Sequence, residues 1–132
     1  MISGYDIILK SSAASEFVFE QAALISKQIW ANAVVENGDT GDLLDPGAGD
    51  WSDVFSGVRE IMIYRDRQSR DSWDEDGATP SNQNTMVHVI KARPDRVTVI
   101  VDDPHHSDMS KIVRGLRRAL TRRAPRAPVG TQ

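Results

Sequence analysis

Residues 85–102 read TMVHVIKARPDRVTVIVD, and this segment carries the clearest structural signal in the chain. Two runs rich in β-branched residues, 85–91 and 96–102, flank a short polar connection. In that connection Pro94 presets its own backbone φ for a turn, and Asp95 can form a hydrogen bond with the nearby backbone. The pattern therefore predicts a β-hairpin.

Earlier segments extend the prediction to two more strands and a helix. Residues 5–10 and 58–66 have the aromatic and β-branched composition of strands. Residues 13–35 place apolar side chains at helical spacing. The Asn-Gly pair at 37–38 supplies a stop, because glycine adopts the left-handed conformation that ends helices without a Cβ penalty.

Ser107 or Asp108 caps a second helix, which has apolar side chains on one side and arginines on the other. The order β-α-β-β-β-α predicts an α+β fold, a two-layer sandwich whose mostly antiparallel sheet carries its helices on one face. The last three strands form a meander, and the first adds at an edge or between them. We expect one domain over residues 1–123 and a disordered tail over 124–132.

Alternation in these strands assigns side chains to the two faces of the sheet. One face receives Ile61, Ile63, Val87, Val89, Val97, Val99 and Val101. The other receives Met62, Tyr64, Met86, His88, Ile90, Thr98 and Ile100, and it is more apolar than a solvent-facing surface should be. Either the long connections 38–57 and 67–84 fold over it, with Trp51 or Trp73 as lids, or it contacts a partner or a second copy.

The two long connections are polar and acidic. We predict a brief helical turn near Trp51 in the first connection, with Asp50 as its cap. In the second, residues 72–77 are similar to the opening of a calcium loop, but Gln83 stands where a bidentate carboxylate should close it. An acidic loop between strands is the better interpretation.

Composition removes several classes of function. The chain has no cysteine, which excludes disulfides, thiol nucleophiles and cysteine-ligated metal centres. Its start lacks the basic region of a secretory signal, and no apolar stretch is long enough to cross a bilayer. We expect a soluble, cytoplasmic protein of bacterial type that needs no cofactor and has no contact with membranes.

The net charge of −3 conceals an asymmetric distribution. Residues 109–132 hold seven of the 16 basic residues and no carboxylate, which leaves nine basic residues against 19 acidic ones, a net −10, in residues 1–108. Such a dipolar layout steers charged partners. The simpler interpretation is that the basic end is solvated or packs against the acidic part of the chain.

The densest polar cluster, residues 102–108, lies where a strand ends and a helix begins. Its candidate metal ligands are Asp103, His105, His106 and Asp108, but their spacing matches no established site. The start of a helix alone accounts for several of these residue types. His88 is interpreted as a satisfied core histidine. A metal-dependent enzyme centred on residues 102–108 is thus the weakest of three hypotheses, and enzymatic activity is less expected than binding.

Nucleic-acid binding is the second hypothesis. It uses the basic face of the last helix: Lys111, Arg114, Arg117, Arg118 and Arg122. The overall acidity of the chain (pI ≈ 5.5) and its few aromatic residues argue against it.

The leading hypothesis is an interaction protein that binds a protein partner, as an immunity protein, an antitoxin neutralising a basic toxin, or an adaptor. Acidic loops and an open sheet face support it, and a homodimer through that face is an additional expectation. The expected partner-binding residues are Trp51, Trp73, Asp74, Asp76, Asp39, Asp42 and Asp45.

Overall fold

The computed structural model describes residues 4–45 and 49–122, and in these ranges the chain forms six strands and four α-helices. The strands are β1 (Tyr5–Lys10), β2 (Val34–Asn37), β3 (Leu43–Leu44), β4 (Glu60–Tyr64), β5 (Met86–Arg93) and β6 (Arg96–Val101). The helices are α1 (Ser15–Ile29), the single turn α2 (Trp51–Val54), α3 (Arg67–Asp76) and α4 (Ser107–Arg122), and a 3-10 turn spans Pro80–Asn82.

All six strands belong to one antiparallel sheet with the order β1-β6-β5-β4-β2-β3. The predicted α+β fold is confirmed, as are the β5–β6 hairpin and the meander of β4, β5 and β6. β1 joins the sheet at an edge, which is one of the two places predicted for it. The short helix near Trp51 is also present.

One face of the sheet builds the core with α1 and α4. The seven side chains predicted for this face are 0–1 % exposed, as are Phe19 of α1 and Leu116 of α4. The two helices approach each other closely at Gly115, where an added Cβ would lie 3.0 Å from Ile25 Cγ2. Burial of these side chains is the main stabilising contribution to the fold.

The helix predicted over residues 13–35 is too long, because α1 ends at Ile29 and β2 follows after a tight turn. Trp30 leaves the helix axis and donates its indole N–H to Asp108 Oδ2 at 3.0 Å. The β-branched Val34 and Val35 then pair with β4, with Val35 buried in the core. The apolar residues of β2 continue the helical spacing of α1, so the sequence pattern does not show the chain reversal between them.

The prediction of a polar connection over residues 67–84 is also wrong, because this segment contains α3. Asp66 caps the helix by accepting a hydrogen bond from the Ser69 N–H at 2.7 Å. Residues 72–76 lie inside α3 and Gly77 is its C-cap, so the preferred interpretation of this stretch as an acidic loop is wrong, and the alternative of a calcium loop is wrong as well. The two predicted helices, α1 and α4, pack on one face of the sheet as expected, whereas α3, which was not predicted, lies on the opposite side and contacts Glu36 of β2.

Within the described ranges, no helix combines the length and apolar character needed to span a membrane. The tail predicted over residues 124–132 lies outside those ranges.

Candidate protein-binding face

The second face of the sheet is the surface that α1 and α4 do not cover. Cross-strand pairing of Asp6 with Ile100, Ile8 with Thr98 and Met62 with His88 defines which side chains share it. Its members are Asp6, Ile8 and Lys10 of β1, Arg96, Thr98 and Ile100 of β6, His88 and Ile90 of β5, and Glu60 and Met62 of β4. We call this set the open face.

The centre of the open face is apolar and incompletely buried. Ile8 is 50 % exposed, and Ile90, Thr98 and Ile100 are half-buried. A shallow cavity of about 140 Å³ is lined by Ile8, Ile90, Ala92, Arg93, Arg96 and Thr98. Aliphatic side chains at the centre with cationic side chains at one margin are suited to a partner that supplies its own apolar side chains.

His88 pairs with a carboxylate on this face. Its Nε2 lies 3.0 Å from Glu60 Oε1, and both side chains remain partly exposed. The interpretation of His88 as a core histidine is wrong, because the side chain is partly exposed and its Nε2 pairs with a carboxylate on the surface. Glu60 sits opposite Ile90 and therefore diagonally from His88, a neighbour that the sequence reveals only once the register is known.

The helix α3 closes the part of the second face next to the open face. Glu36 and Tyr64 are only 5 % and 3 % exposed there. Arg70 of α3 donates from Nε to Glu36 Oε1 at 2.9 Å, and the Tyr64 hydroxyl donates to Glu36 Oε2 at 3.4 Å. Burial, followed by the Glu36 charge, raises the pKa of Tyr64, and the hydrogen bond to Glu36 raises the pKa of Arg70. A buried ion pair thus fixes α3 on the sheet.

The two tryptophans that were predicted as lids lie on opposite sides of the sheet. Trp73 of α3 is half-buried and donates its indole N–H to Thr85 Oγ1 at 3.0 Å. Trp51 stacks on Phe55, with ring centroids 5.1 Å apart, and Phe55 contacts Phe19 of α1. Trp73 belongs to the segment that covers the second face, whereas the prediction of Trp51 as a lid on that face is wrong.

The predicted acidic residues fall into one surface beside α3. Arg70 links the two segments, because its Nη2 donates to Gly41 O at 3.3 Å and lies 3.8 Å from Asp74 Oδ2. The turn after β2 exposes Asp39 and Asp42, Asp45 is exposed directly after β3, and α3 exposes Asp71, Asp74, Glu75 and Asp76. We call these carboxylates the acidic rim. It includes every predicted acidic partner-binding residue.

The polar cluster at 102–108 is engaged in local hydrogen bonds. His106 Nδ1 accepts from the Asp108 N–H at 3.2 Å, so this imidazole, rather than Ser107 or Asp108, caps α4. Asp103 accepts from the His105 N–H, and Asp108 accepts from Trp30. In the part of the chain that the structure describes, no three candidate ligands come together to hold a metal ion.

The outer side of α4 presents a second charged surface. Lys111, Arg114, Arg117 and Arg118 are exposed, and Arg122 lies in the last turn of the helix. Lys111, Arg114, Gly115 and Arg118 line a shallow cavity of about 250 Å³. This surface lies across the sheet from the acidic rim and the open face.

Comparison with known proteins does not assign this chain to a group. No family model matches the sequence, no curated protein is detectably similar to it, and no solved structure matches it.

Proposed function

We propose that this protein is a protein-binding domain, of the immunity-protein, antitoxin or adaptor type, that holds its partner on the open face and the adjoining acidic rim. The observation that carries the proposal is the apolar centre of the open face, where Ile8, Ile90 and Ile100 retain solvent exposure. The acidic rim lies on the same side of the sheet, beside α3. Apolar patches bordered by polar residues are characteristic of interaction sites.

The chemistry of the two surfaces specifies the partner. Aliphatic side chains on the open face favour a partner that inserts apolar or aromatic anchors at the centre of the contact. The acidic rim favours a basic surface next to those anchors, because complementary charge accelerates association and excludes partners of the wrong sign. A basic toxin is one such protein.

The first experiment identifies the partner and the face that it contacts. A photo-crosslinking residue replaces Thr98 on the open face in one sample and Gln28 on α1 in the matched control. After irradiation in the native host, we expect one prominent crosslinked protein from position 98 and none from position 28. Equal crosslinking from both positions, or crosslinking from position 28 alone, would refute the placement.

The second experiment tests the acidic rim with the purified partner. The Glu75→Lys/Asp76→Lys variant is expected to slow association at least ten-fold, because charge reversal removes electrostatic steering. Asp74 is left unchanged because it lies 3.8 Å from Arg70, which holds α3 on the sheet. Asp53→Lys, an equally exposed change on the helix side, is expected to leave the association rate unchanged. Trp73→Ala is a poorer test, because it also removes the hydrogen bond that holds α3 against Thr85. Unchanged association of the double variant removes the rim from the site.

A second candidate function is nucleic-acid binding through α4. The observation that favours it is the single exposed row of Lys111, Arg114 and Arg118, none of which forms an ion pair with the described carboxylates. Phosphate contacts of this kind weaken steeply as salt concentration rises.

The test of this function is fluorescence anisotropy with short duplex DNA and duplex RNA at low salt. The α4 interface is supported if the wild type binds, the Arg114→Glu/Arg118→Glu variant does not bind, and the Arg65→Glu control still binds. Absence of binding by the wild-type protein at low salt eliminates it.

A further inference from the structure

The outer edge of β1 presents backbone groups that have no strand partner among the described residues. β1 is the first strand in the sheet order and pairs on one side only, with β6. The Ser11 N–H donates to Asp95 O at 3.0 Å, immediately beyond the Lys10–Arg96 pair. In an antiparallel ladder, residues alternate between pointing both backbone groups toward the partner strand and pointing both away. Odd-numbered residues of β1 therefore face β6, and Asp6, Ile8 and Lys10 face outward.

The same alternation is visible across the rest of the sheet, which confirms the direction of these groups. The Lys91 N–H of β5 donates to Arg59 O at 2.9 Å, toward β4. The Gly38 N–H donates to Glu60 O at 2.9 Å, so even-numbered residues of β4 face β2. By these registers, odd-numbered residues of β5 face β4, even-numbered residues of β5 and β6 face each other, and odd-numbered residues of β6 face β1. The backbone groups of the even-numbered residues of β1 therefore point away from the sheet.

β1 also carries the two most exposed large apolar side chains among the described residues. Tyr5 is 58 % exposed and Ile8 is 50 % exposed, the two highest values among the large apolar side chains. Asp6 and Lys10 flank Ile8 at equal spacing and are exposed as well. A long edge strand that carries apolar side chains is a template for pairing with another strand.

We propose that β1 pairs with β1 of a second copy of this chain, antiparallel and centred on Ile8, to join two sheets into one. The outward N–H and C=O groups of Ile8 in one copy then form hydrogen bonds with those of Ile8 in the other copy. Each Asp6 pairs with a Lys10 across the two-fold axis, and the three pairs form about six backbone hydrogen bonds. On the open face, each Asp6 carboxylate lies opposite a Lys10 ammonium, and the two Ile8 side chains contact each other.

Charge selects this register over its neighbours. Centring the pair on Asp6 places two carboxylates opposite each other, and centring it on Lys10 does the same with two ammonium groups. Centring it on Ile7 or Leu9 places a charged side chain opposite Ile8. Like charges directly across a strand pair are destabilising, and opposite charges are favourable. The register centred on Ile8 alone matches both charges and the apolar centre.

The occupant is a second copy because the strand complements itself. A foreign extended segment would need a lysine and an aspartate at the same separation around an aliphatic residue, whereas a second β1 supplies them by symmetry. The joined sheet would set two open faces side by side. The inference rests on the outward backbone groups of β1, which the proposed function does not use, although the Asp6, Ile8 and Lys10 side chains also belong to the open face.

The test is sedimentation equilibrium of the purified full chain from about 1 µM to about 1 mM, a range suited to an interface of the smallest size class. We expect a reversible monomer–dimer equilibrium. Ile8→Pro removes the outward N–H at the centre of the pair without removing a hydrogen bond to β6, and it is expected to weaken dimerisation at least ten-fold. Lys10→Glu is expected to do the same, because it places two carboxylates opposite each other at both ends.

A charge swap and a matched control complete the test. Asp6→Lys/Lys10→Asp restores opposite charges in this register alone and is expected to recover the dimer. Lys111→Glu on α4 makes the same charge change as Lys10→Glu, and it is expected to leave the dimer intact. A monomer at every concentration, a dimer that survives Ile8→Pro, or a charge swap that stays monomeric would overturn the proposal. Urea unfolding of each variant at low concentration verifies that it is folded.

Discussion

Both faces of the sheet carry aliphatic side chains, but these side chains differ in burial. On the face beneath α1 and α4, residues such as Ile63, Val89 and Val99 are fully buried. On the other face, Ile8 is half exposed, and Ile90 and Ile100 are only half-buried. The difference in burial comes from the helices that cover each face, because both sets of side chains belong to the same strands. Aliphatic side chains on a face therefore do not by themselves reveal whether a helix covers that face.

The cover on each face is also chemically different. α1 and α4 attach through apolar side chains such as Phe19 and Leu116. α3, whose sequence is RQSRDSWDED, attaches through the Arg70–Glu36 ion pair and the Trp73 indole. A polar helix can thus close one part of a face and leave the adjacent apolar part uncovered.

The largest expected effect contrasts equivalent truncations on the two faces. Ile63→Ala is expected to lower the free energy of unfolding by about 3 kcal/mol, because it leaves a cavity in a fully buried core. Ile8→Ala is expected to cost less than about 1 kcal/mol, because that side chain is already half in water. Urea unfolding at low protein concentration measures both. Equal losses would contradict the assignment of core and open face.

The ion pair that fixes α3 is expected to have the next largest effect. Arg70→Gln leaves the Glu36 carboxylate buried without its cationic partner, and we expect a loss of about 2 kcal/mol. In a double-mutant cycle with Glu36→Gln, the second substitution should recover part of this loss, because it removes the uncompensated charge. Additive losses in the cycle would show that the pair does not hold α3 in place.

The cap of α3 is expected to have the smallest of the three effects and to depend on pH. Asp66→Ala removes the acceptor for the Ser69 N–H, and we expect a loss of about 1 kcal/mol at neutral pH. The backbone hydrogen bond from Ser69 lowers the pKa of Asp66 below its ordinary value of 3.8. The stabilisation is therefore fully present above that value and is lost as the pH falls through the lowered native pKa.

Urea unfolding of the wild type and Asp66→Ala from pH 7 to pH 2 checks this dependence. The stability difference between them should shrink at the acidic end. Asp71→Ala, a change at an exposed carboxylate on the same helix, serves as the control and should show a smaller difference at pH 7. A constant difference for Asp66→Ala across the range would contradict the role of its carboxylate.

Strand periodicity made the core face predictable from the sequence. The alternation in residues 85–102 identified the hairpin, its two faces and the buried valines, because a pleated strand sends successive side chains to opposite sides. The apolar stripe of α4 identified the second core helix for the same kind of reason. The sequence also predicted that the second face is apolar. It left open whether the long connections cover this face or a partner contacts it, and α3 covers only part of it.

Local patterns did not determine the elements that depend on distant contacts. β2 was hidden because Val34 and Val35 extend the helical spacing of α1, and only pairing with β4 selects the strand. α3 was hidden because a helix with one buried residue, Ser69, shows no apolar stripe. The Glu60–His88 and Glu36–Arg70 contacts join residues 28 and 34 positions apart, so they require the register and the placement of α3.

The most direct test of the central claim is calorimetric binding of the purified partner, identified by crosslinking, to two matched variants. Ile90→Lys places a charge at the centre of the open face, and Leu24→Lys makes the same kind of change at an exposed position on α1. Binding through the open face predicts that Ile90→Lys weakens affinity at least ten-fold and that Leu24→Lys leaves it unchanged. Unchanged affinity for a correctly folded Ile90→Lys variant would contradict it.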